Sequence, residues 1–203
     1  MTVSKQVPVF INYTVGNKEY ERPLCEDDYA LLERIQTGRS DIFVPIVELP
    51  IGFNTEQPRR SHGVNYIHQF FFDRNLHVLG LYWSKVRALD TDTNTKNALF
   101  AIGTGVMMGL SKLQRYRMFS TFPNMLLSGT LYIGSMVREW NALDWMSGKL
   151  KSIYKLKEKT RNFGDDVRIT TMSSTEIHNL VPENSVDYIF TDPPFGGNLT
   201  IQN

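Results

Sequence analysis

The sequence predicts an α/β chain, with a partial doubly wound sheet at its C-terminal end preceded by an irregular α+β region rich in helices. Three observations carry this. The last forty residues run strand, short helix, strand, with an acid at the final strand tip. Residues 64–160 hold long stretches with apolar residues near helical spacing. Residues 7–24 are β-rich on either side of a Gly-Asn pair. The 203 residues are 41% hydrophobic and 21% charged, enough to build a core. The character changes near Gly164, which divides the chain into residues 1–163 and residues 164–203.

Taken in order, "VPVFINYTVGNKEYERPL" predicts a hairpin turning at Gly16-Asn17. "CEDDYALLERIQTG" predicts a short amphipathic helix with acids in its first turn and Gly38 as its stop. Residues 40–60 read as irregular, punctuated by Pro45, Pro50 and Pro58, and "QPRRSHG" reads as a polar loop. Tyr66, Phe70, Leu76, Leu79 and Trp83 predict one long helix, or two joined near residues 73–75. "DTDTNTKNALFAIGTGVMMG" opens with capping residues and then turns apolar. "GTLYIGS", residues 129–135, reads as a strand, and residues 140–160 as a helix that becomes basic in its second half. Strands are expected at residues 167–171 and 186–192, with a short helix and a turn between them.

Composition limits the function classes. Twenty-two basic and 21 acidic residues leave a net charge of +1, so the whole chain is not polybasic. Cys25 is the single cysteine; it excludes an internal disulfide, reads as structural and fits a reducing cytosol. No apolar run of signal-peptide or membrane-span length is seen, and a cytoplasmic chain is expected. His62, His68 and His77 lack the cysteine and carboxylate spacing of a metal site, so no metal is expected. "KLKSIYKLKEK" has the residues to touch phosphates, although a solvated helix face is the preferred reading, and the same holds for Arg59 and Arg60.

The chemistry concentrates in "SVDYIFTDPPFGGN", residues 185–198. Ligands of open α/β sheets bind at the carboxyl ends of strands, where Asp192 is expected. The Asp192 carboxylate and the Pro193 carbonyl are two acceptors held close together, which suits an NH2 group. Pro193 and Pro194 keep the chain extended. Phe195 offers a face for a planar ring, and Gly196 and Gly197 let the backbone approach a ligand. A nucleobase taken out of its stack matches such a pocket.

"TDPPF" resembles the D-P-P-Y/F signature of S-adenosylmethionine-dependent DNA amino-methyltransferases, and "VRITTMSSTEIHNL" is similar to the strand and loop that precede it in large bacterial DNA methylases. The resemblance is specific over about forty residues; "GVNYIHQFFFDRNLHVLGLYW" and "SGTLYIGS" are more diffusely similar to the region between the two methylase halves. It implies a partial Rossmann-like methyltransferase sheet, S-adenosyl-L-methionine as methyl donor, and transfer to adenine N6 or cytosine N4 of DNA. It further implies that Asp192, Pro193, Pro194 and Phe195 form the catalytic motif, and that Ser173 and Ser174 lie near the cofactor. Residues 1–163 would then be an inserted or accessory region, and residues 164–203 a partial catalytic unit. RNA amino-methyltransferases use near-identical tetrapeptides, so RNA stays open as substrate. A nucleic-acid-binding or interaction module with a relic motif also stays open.

A methionine-holding glycine turn has one candidate, Gly103, Gly105 and Gly109, but no acid follows at the spacing that holds ribose hydroxyls. An apolar helix with small residues for close packing is the preferred reading. Eleven residues follow Asp192, where a full sheet needs further strands. The expectation is a fragment of a larger enzyme, inactive alone, that requires the rest of the polypeptide or a complementary chain.

Overall fold

A computed structural model describes residues 6–37, 42–116, 126–127, 129–161 and 169–192. The chain divides into two compact units, Met1–Lys159 and Thr160–Asn203. Among the described residues are five α-helices, two 3-10 helices and one two-stranded antiparallel sheet, so the chain mixes α and β. The described residues form no parallel sheet of the Rossmann kind.

The hairpin forms where the sequence places it. Strand β1 (Phe10–Val15) pairs with β2 (Lys18–Pro23), with Tyr13 opposite Tyr20. Gly16 holds φ at 62°, which a two-residue turn with glycine first requires. The Tyr13 and Tyr20 rings stack with centroids 5.5 Å apart. The start of helix α1 (Glu26–Thr37) is held by Asp28 in its first turn, whose carboxylate accepts from the Cys25 backbone N–H at 2.8 Å. The same carboxylate takes both Arg22 guanidinium nitrogens, at 2.5 and 3.0 Å, which ties the helix start to β2. Those Arg22 bonds, then the Cys25 N–H, hold the Asp28 carboxyl well below the usual carboxylate range.

Residues 53–62 differ from expectation: they form helix α2 (Phe53–His62) rather than a loop. Pro58 inside it removes one N–H. Thr55 Oγ1 ties the first turn to the Pro50 and Gly52 carbonyls, at 2.6 and 2.9 Å. Gly63, at φ 65°, caps the other end by donating to the Arg59 carbonyl. Proline spacing alone could not reveal a helix built on such side-chain bonds and buried against a core.

The helix expected from residue 64 resolves into two pieces, a 3-10 helix (Ile67–Phe70) and α3 (Asp73–Ala88). Helix α4 (Thr93–Met107) begins at Asp92, whose carboxylate accepts from the Thr95 N–H at 2.9 Å. Helix α5 (Ala142–Thr160) follows the expected basic segment. These elements enclose one core that includes Val64, Phe70, Leu79, Ile102, Val106, Leu110, Ile133 and Met146.

Close packing explains the glycines of α4. A Cβ at Gly103 would sit 2.9 Å from the Tyr82 and Trp83 rings of α3. One at Gly105 would meet Lys149, and one at Gly109, just past the helix, would fall 1.7 Å from the Trp145 ring of α5. These glycines are packing residues in and beside a helix, not a turn after a strand.

Residues 129–135 are not a strand. The Ile133 N–H and C=O are both taken by the Gln57 side-chain amide, at 3.1 Å each, so a glutamine stands where a neighbouring strand would. Nearby, single bridges replace a sheet: Phe71 pairs with Ser111, and Arg115 with Val137.

Asn75 lies at the centre of this unit, 1% exposed. Its side-chain NH2 donates to the Leu110 carbonyl at 3.3 Å and to the Trp140 carbonyl at 3.1 Å.

In the second unit, the short helix forms as a 3-10 helix (Ser174–Asn179). Of the strand expected at 167–171, residues 167 and 168 lie outside the described residues, and 169–171 are not in a strand. Residues 186–192 are likewise not in a strand: no neighbour among the described residues pairs with them.

Two stability predictions follow from the packing. Asn75→Ala leaves two buried carbonyls without their donor and should cost about 2–3 kcal/mol in urea unfolding. Gly109→Ala forces the Trp145 ring to move and should cost about 1–3 kcal/mol; an unchanged urea midpoint would place the ring elsewhere in solution.

Candidate functional site

The sequence-derived site lies in the second unit. Ser173 caps the 3-10 helix: its Oγ accepts from the Thr175 N–H at 3.4 Å and shares a hydrogen bond with Thr175 Oγ1 at 2.8 Å. Ser174 is the first residue of that helix. After it, Asn184 adopts φ 57°, a left-handed turn conformation that asparagine tolerates. Ser185 Oγ donates to the Pro182 carbonyl at 2.7 Å. The chain then runs through Val186, Tyr188, Ile189 and Phe190, which are 51%, 80%, 75% and 78% exposed, to an exposed Asp192.

Pro193, Pro194 and Phe195, with Gly196 and Gly197, lie outside the described residues. Of the predicted site residues the structure therefore describes Ser173, Ser174 and Asp192. Ser173 and Ser174 adjoin as neighbours at one helix start, and no hydrogen bond among the described residues joins either to Asp192. The Asp192 carboxylate is an acceptor facing solvent, chemically able to take an amine N–H.

A cofactor of the S-adenosylmethionine type needs a glycine-rich turn behind a strand. Gly103, Gly105 and Gly109 do not supply one, since their close approaches are to Tyr82, Trp83, Lys149 and Trp145. Of the residues named for the cofactor, the structure describes Ser173 and Ser174, and Ser173 Oγ is engaged by Thr175.

The first unit holds a charged cluster that sequence reading missed. Lys112 is 9% exposed; its Nζ donates to the Gln69 carbonyl at 2.9 Å and lies 5.7 Å from the Phe72 ring centre. Arg74 Nε donates to Glu139 Oε1 at 3.1 Å. Burial pushes the Lys112 ammonium down, opposed by Asp73 and Glu139. Burial pushes the Glu139 carboxyl up, opposed by Arg74. No sequence signal joins these groups, because Arg74 and Glu139 are 65 positions apart.

A pocket of about 410 Å³ is lined by Ile51, Gly52, Glu56, Arg59 and Arg60. Its cations are already engaged: Arg60 pairs with Glu56 at 2.7 Å, and the Arg59 guanidinium donates to the Leu49 carbonyl. Among the described residues no three histidine, cysteine, aspartate or glutamate side chains gather as a metal site. No described helix is long and apolar enough to cross a membrane. No family model, curated protein or solved structure matches the chain.

The Glu139 environment makes a signed prediction. Its folded-state pKa is raised above 4.5, so the folded chain holds this proton more tightly than the unfolded chain. The stabilising contribution is complete below pH 4.5 and is lost as pH rises through the folded value. Glu139→Gln should match the parent in urea stability near pH 4 and gain on it toward pH 7. A difference independent of pH would show that Arg74 fully offsets the burial.

Proposed function

We propose that the chain is part of a DNA amino-methyltransferase that moves a methyl group from S-adenosyl-L-methionine to adenine N6 or cytosine N4. One observation carries the reading. An apolar run of the kind that fills a parallel sheet leads directly to Asp192-Pro193-Pro194-Phe195; in the structure the run is exposed, and no strand among the described residues pairs with it. In this reading the Asp192 carboxylate and the Pro193 carbonyl accept the two amine hydrogens. The nitrogen lone pair is then left pointing away from both acceptors, and Phe195 stacks on the base. The cofactor, when bound, would supply the electrophilic methyl group and leave as the neutral thioether, the surplus amine proton passing to the Asp192 carboxylate and on to water, with Ser173 and Ser174 at the cofactor's edge. The active form includes a sheet that buries residues 186–190, contributed by further polypeptide or a complementary chain.

A second reading is favoured by one feature. The glycines that the sequence offers for the cofactor are packing residues in and beside α4, which suits a nucleic-acid-binding or interaction module carrying a relic motif. Calorimetric titration of S-adenosyl-L-methionine into the chain, followed by labelled-methyl transfer to DNA and to RNA by the full natural polypeptide, separates these readings. Transfer to RNA alone would move the proposal to an RNA enzyme. Absence of transfer to either would leave the binding module.

For the enzyme, Asp192→Ala should reduce methyl transfer at least about 100-fold, since it removes an acceptor aimed at the reacting amine. Circular dichroism should be unchanged, because Asp192 is exposed. Unchanged turnover would sink the assignment of the base pocket.

A further inference from the structure

Basic charge is segregated in this chain. Residues 149–161 carry Lys149, Lys151, Lys155, Lys157, Lys159 and Arg161 against one acid, Glu158, while the rest of the chain is net acidic. Most of this charge lies on α5. On a helix of 3.6 residues per turn, Lys151, Lys155 and Lys159 form one line, spaced about 6 Å apart along the axis. All three are exposed, and none takes part in a salt bridge among the described residues. Tyr154, 63% exposed, is three residues from both Lys151 and Lys157, which makes the ring a surface neighbour of both ammonium groups.

We propose that this outer face of α5 binds a single strand of nucleic acid. Lys151, Lys155 and Lys159 contact successive phosphates, and Tyr154 stacks on an unpaired base. The combination of a cationic line with an interleaved aromatic ring is what sequence-tolerant single-strand binding requires. Complementation of the helix dipole accounts for cations in the last turn alone; Lys155 lies just before that turn and Lys151 more than a turn before it. Of the apolar residues of α5, Ala142, Trp145, Met146 and Ile153 are turned into the core, while Leu143, Leu150 and Leu156 are exposed, so an anionic membrane is the competing occupant that the test must separate. The proposal deepens the nucleic-acid reading above but stands on α5 and not on Asp192.

The test is fluorescence anisotropy of the full chain with a labelled single-stranded oligodeoxynucleotide of about 16 nucleotides, repeated over a salt series. Binding should weaken with salt, and the triple variant K151Q/K155Q/K159Q should flatten the log–log slope by about 2, from about 0.7 per phosphate contact. Tyr154→Ala should weaken binding about tenfold at fixed salt. Circular dichroism of each variant confirms an intact helix, and Lys→Arg at the three positions should retain binding. No binding at low salt, an unchanged slope in the triple variant, or capture by phosphatidylserine vesicles in preference to the oligonucleotide would each overturn the proposal. Loss of methyl transfer by Asp192→Ala with this binding intact would bear only on the catalytic motif, so the two readings fail separately.

Discussion

The side-chain amide of Asn75 is where three stretches of backbone meet. It projects from α3 and gives both hydrogens to main-chain carbonyls, one at Leu110 after α4 and one at Trp140 before α5. A buried amide is costly unless its donors are used, and here the carbonyls it satisfies are themselves at the ends of helices or between them. The core around it is apolar, so the geometry in which α3, α4 and α5 share one centre is specified by these two bonds. The glycines then set how close the helices come. Gly103 admits Tyr82 and Trp83, and Gly109 admits Trp145. Directional bonds choose the arrangement, and small residues let dispersion contacts tighten it.

Two side-chain amides do the work that a sheet does in larger α/β proteins. Gln57 occupies both hydrogen-bonding groups of Ile133, and Asn75 occupies the carbonyls that flank α4 and α5. Backbone satisfied by side chains has no need of a strand neighbour. That is why the segments around 111–115 and 133–138 meet only as isolated bridges. It also bears on the charged cluster next to them. Lys112 and Glu139 sit on this bridged backbone, and their partial burial follows from its closeness to the core.

Local signals were legible in the sequence where local chemistry decides. The hairpin at Gly16, the acids opening α1, the cap at Asp92 and the basic course of α5 are written in adjacent residues. The packing role of Gly103, Gly105 and Gly109 was legible because no acid followed them at cofactor spacing. What escaped was set by long-range partners. Helix α2 was hidden by its proline, since its stability comes from Thr55, Gly63 and burial. The strand at 129–135 was expected from β-rich residues, but Gln57, 76 positions from Ile133, had already taken its bonds. Of the candidate site, Asp192, Ser173 and Ser174 are named from sequence alone, and the structure shows for them an exposed carboxylate and a local cap. The Arg74–Glu139 pair could not be named so, because its members are distant along the chain.

The run before Asp192, which pairs with no strand among the described residues, links the fold to the proposed function. Burying a side chain such as those of Val186, Ile189 or Phe190 gains about 1.5–3 kcal/mol. Fixing the backbone of each residue costs about 1–2 kcal/mol. Those terms nearly cancel for a strand of this length, so apolar character alone does not fix the segment; ladder hydrogen bonds on a sheet tip the balance. The catalytic geometry proposed for Asp192 needs the same fixation, since two acceptors direct an amine only when their spacing is rigid. One event, the docking of residues 186–190 into a sheet, would therefore order the strand and assemble the acceptor pair together. In the proposed enzyme, competence and folding of the second unit are a single equilibrium, which couples the motif's chemistry to whatever supplies the neighbouring strands.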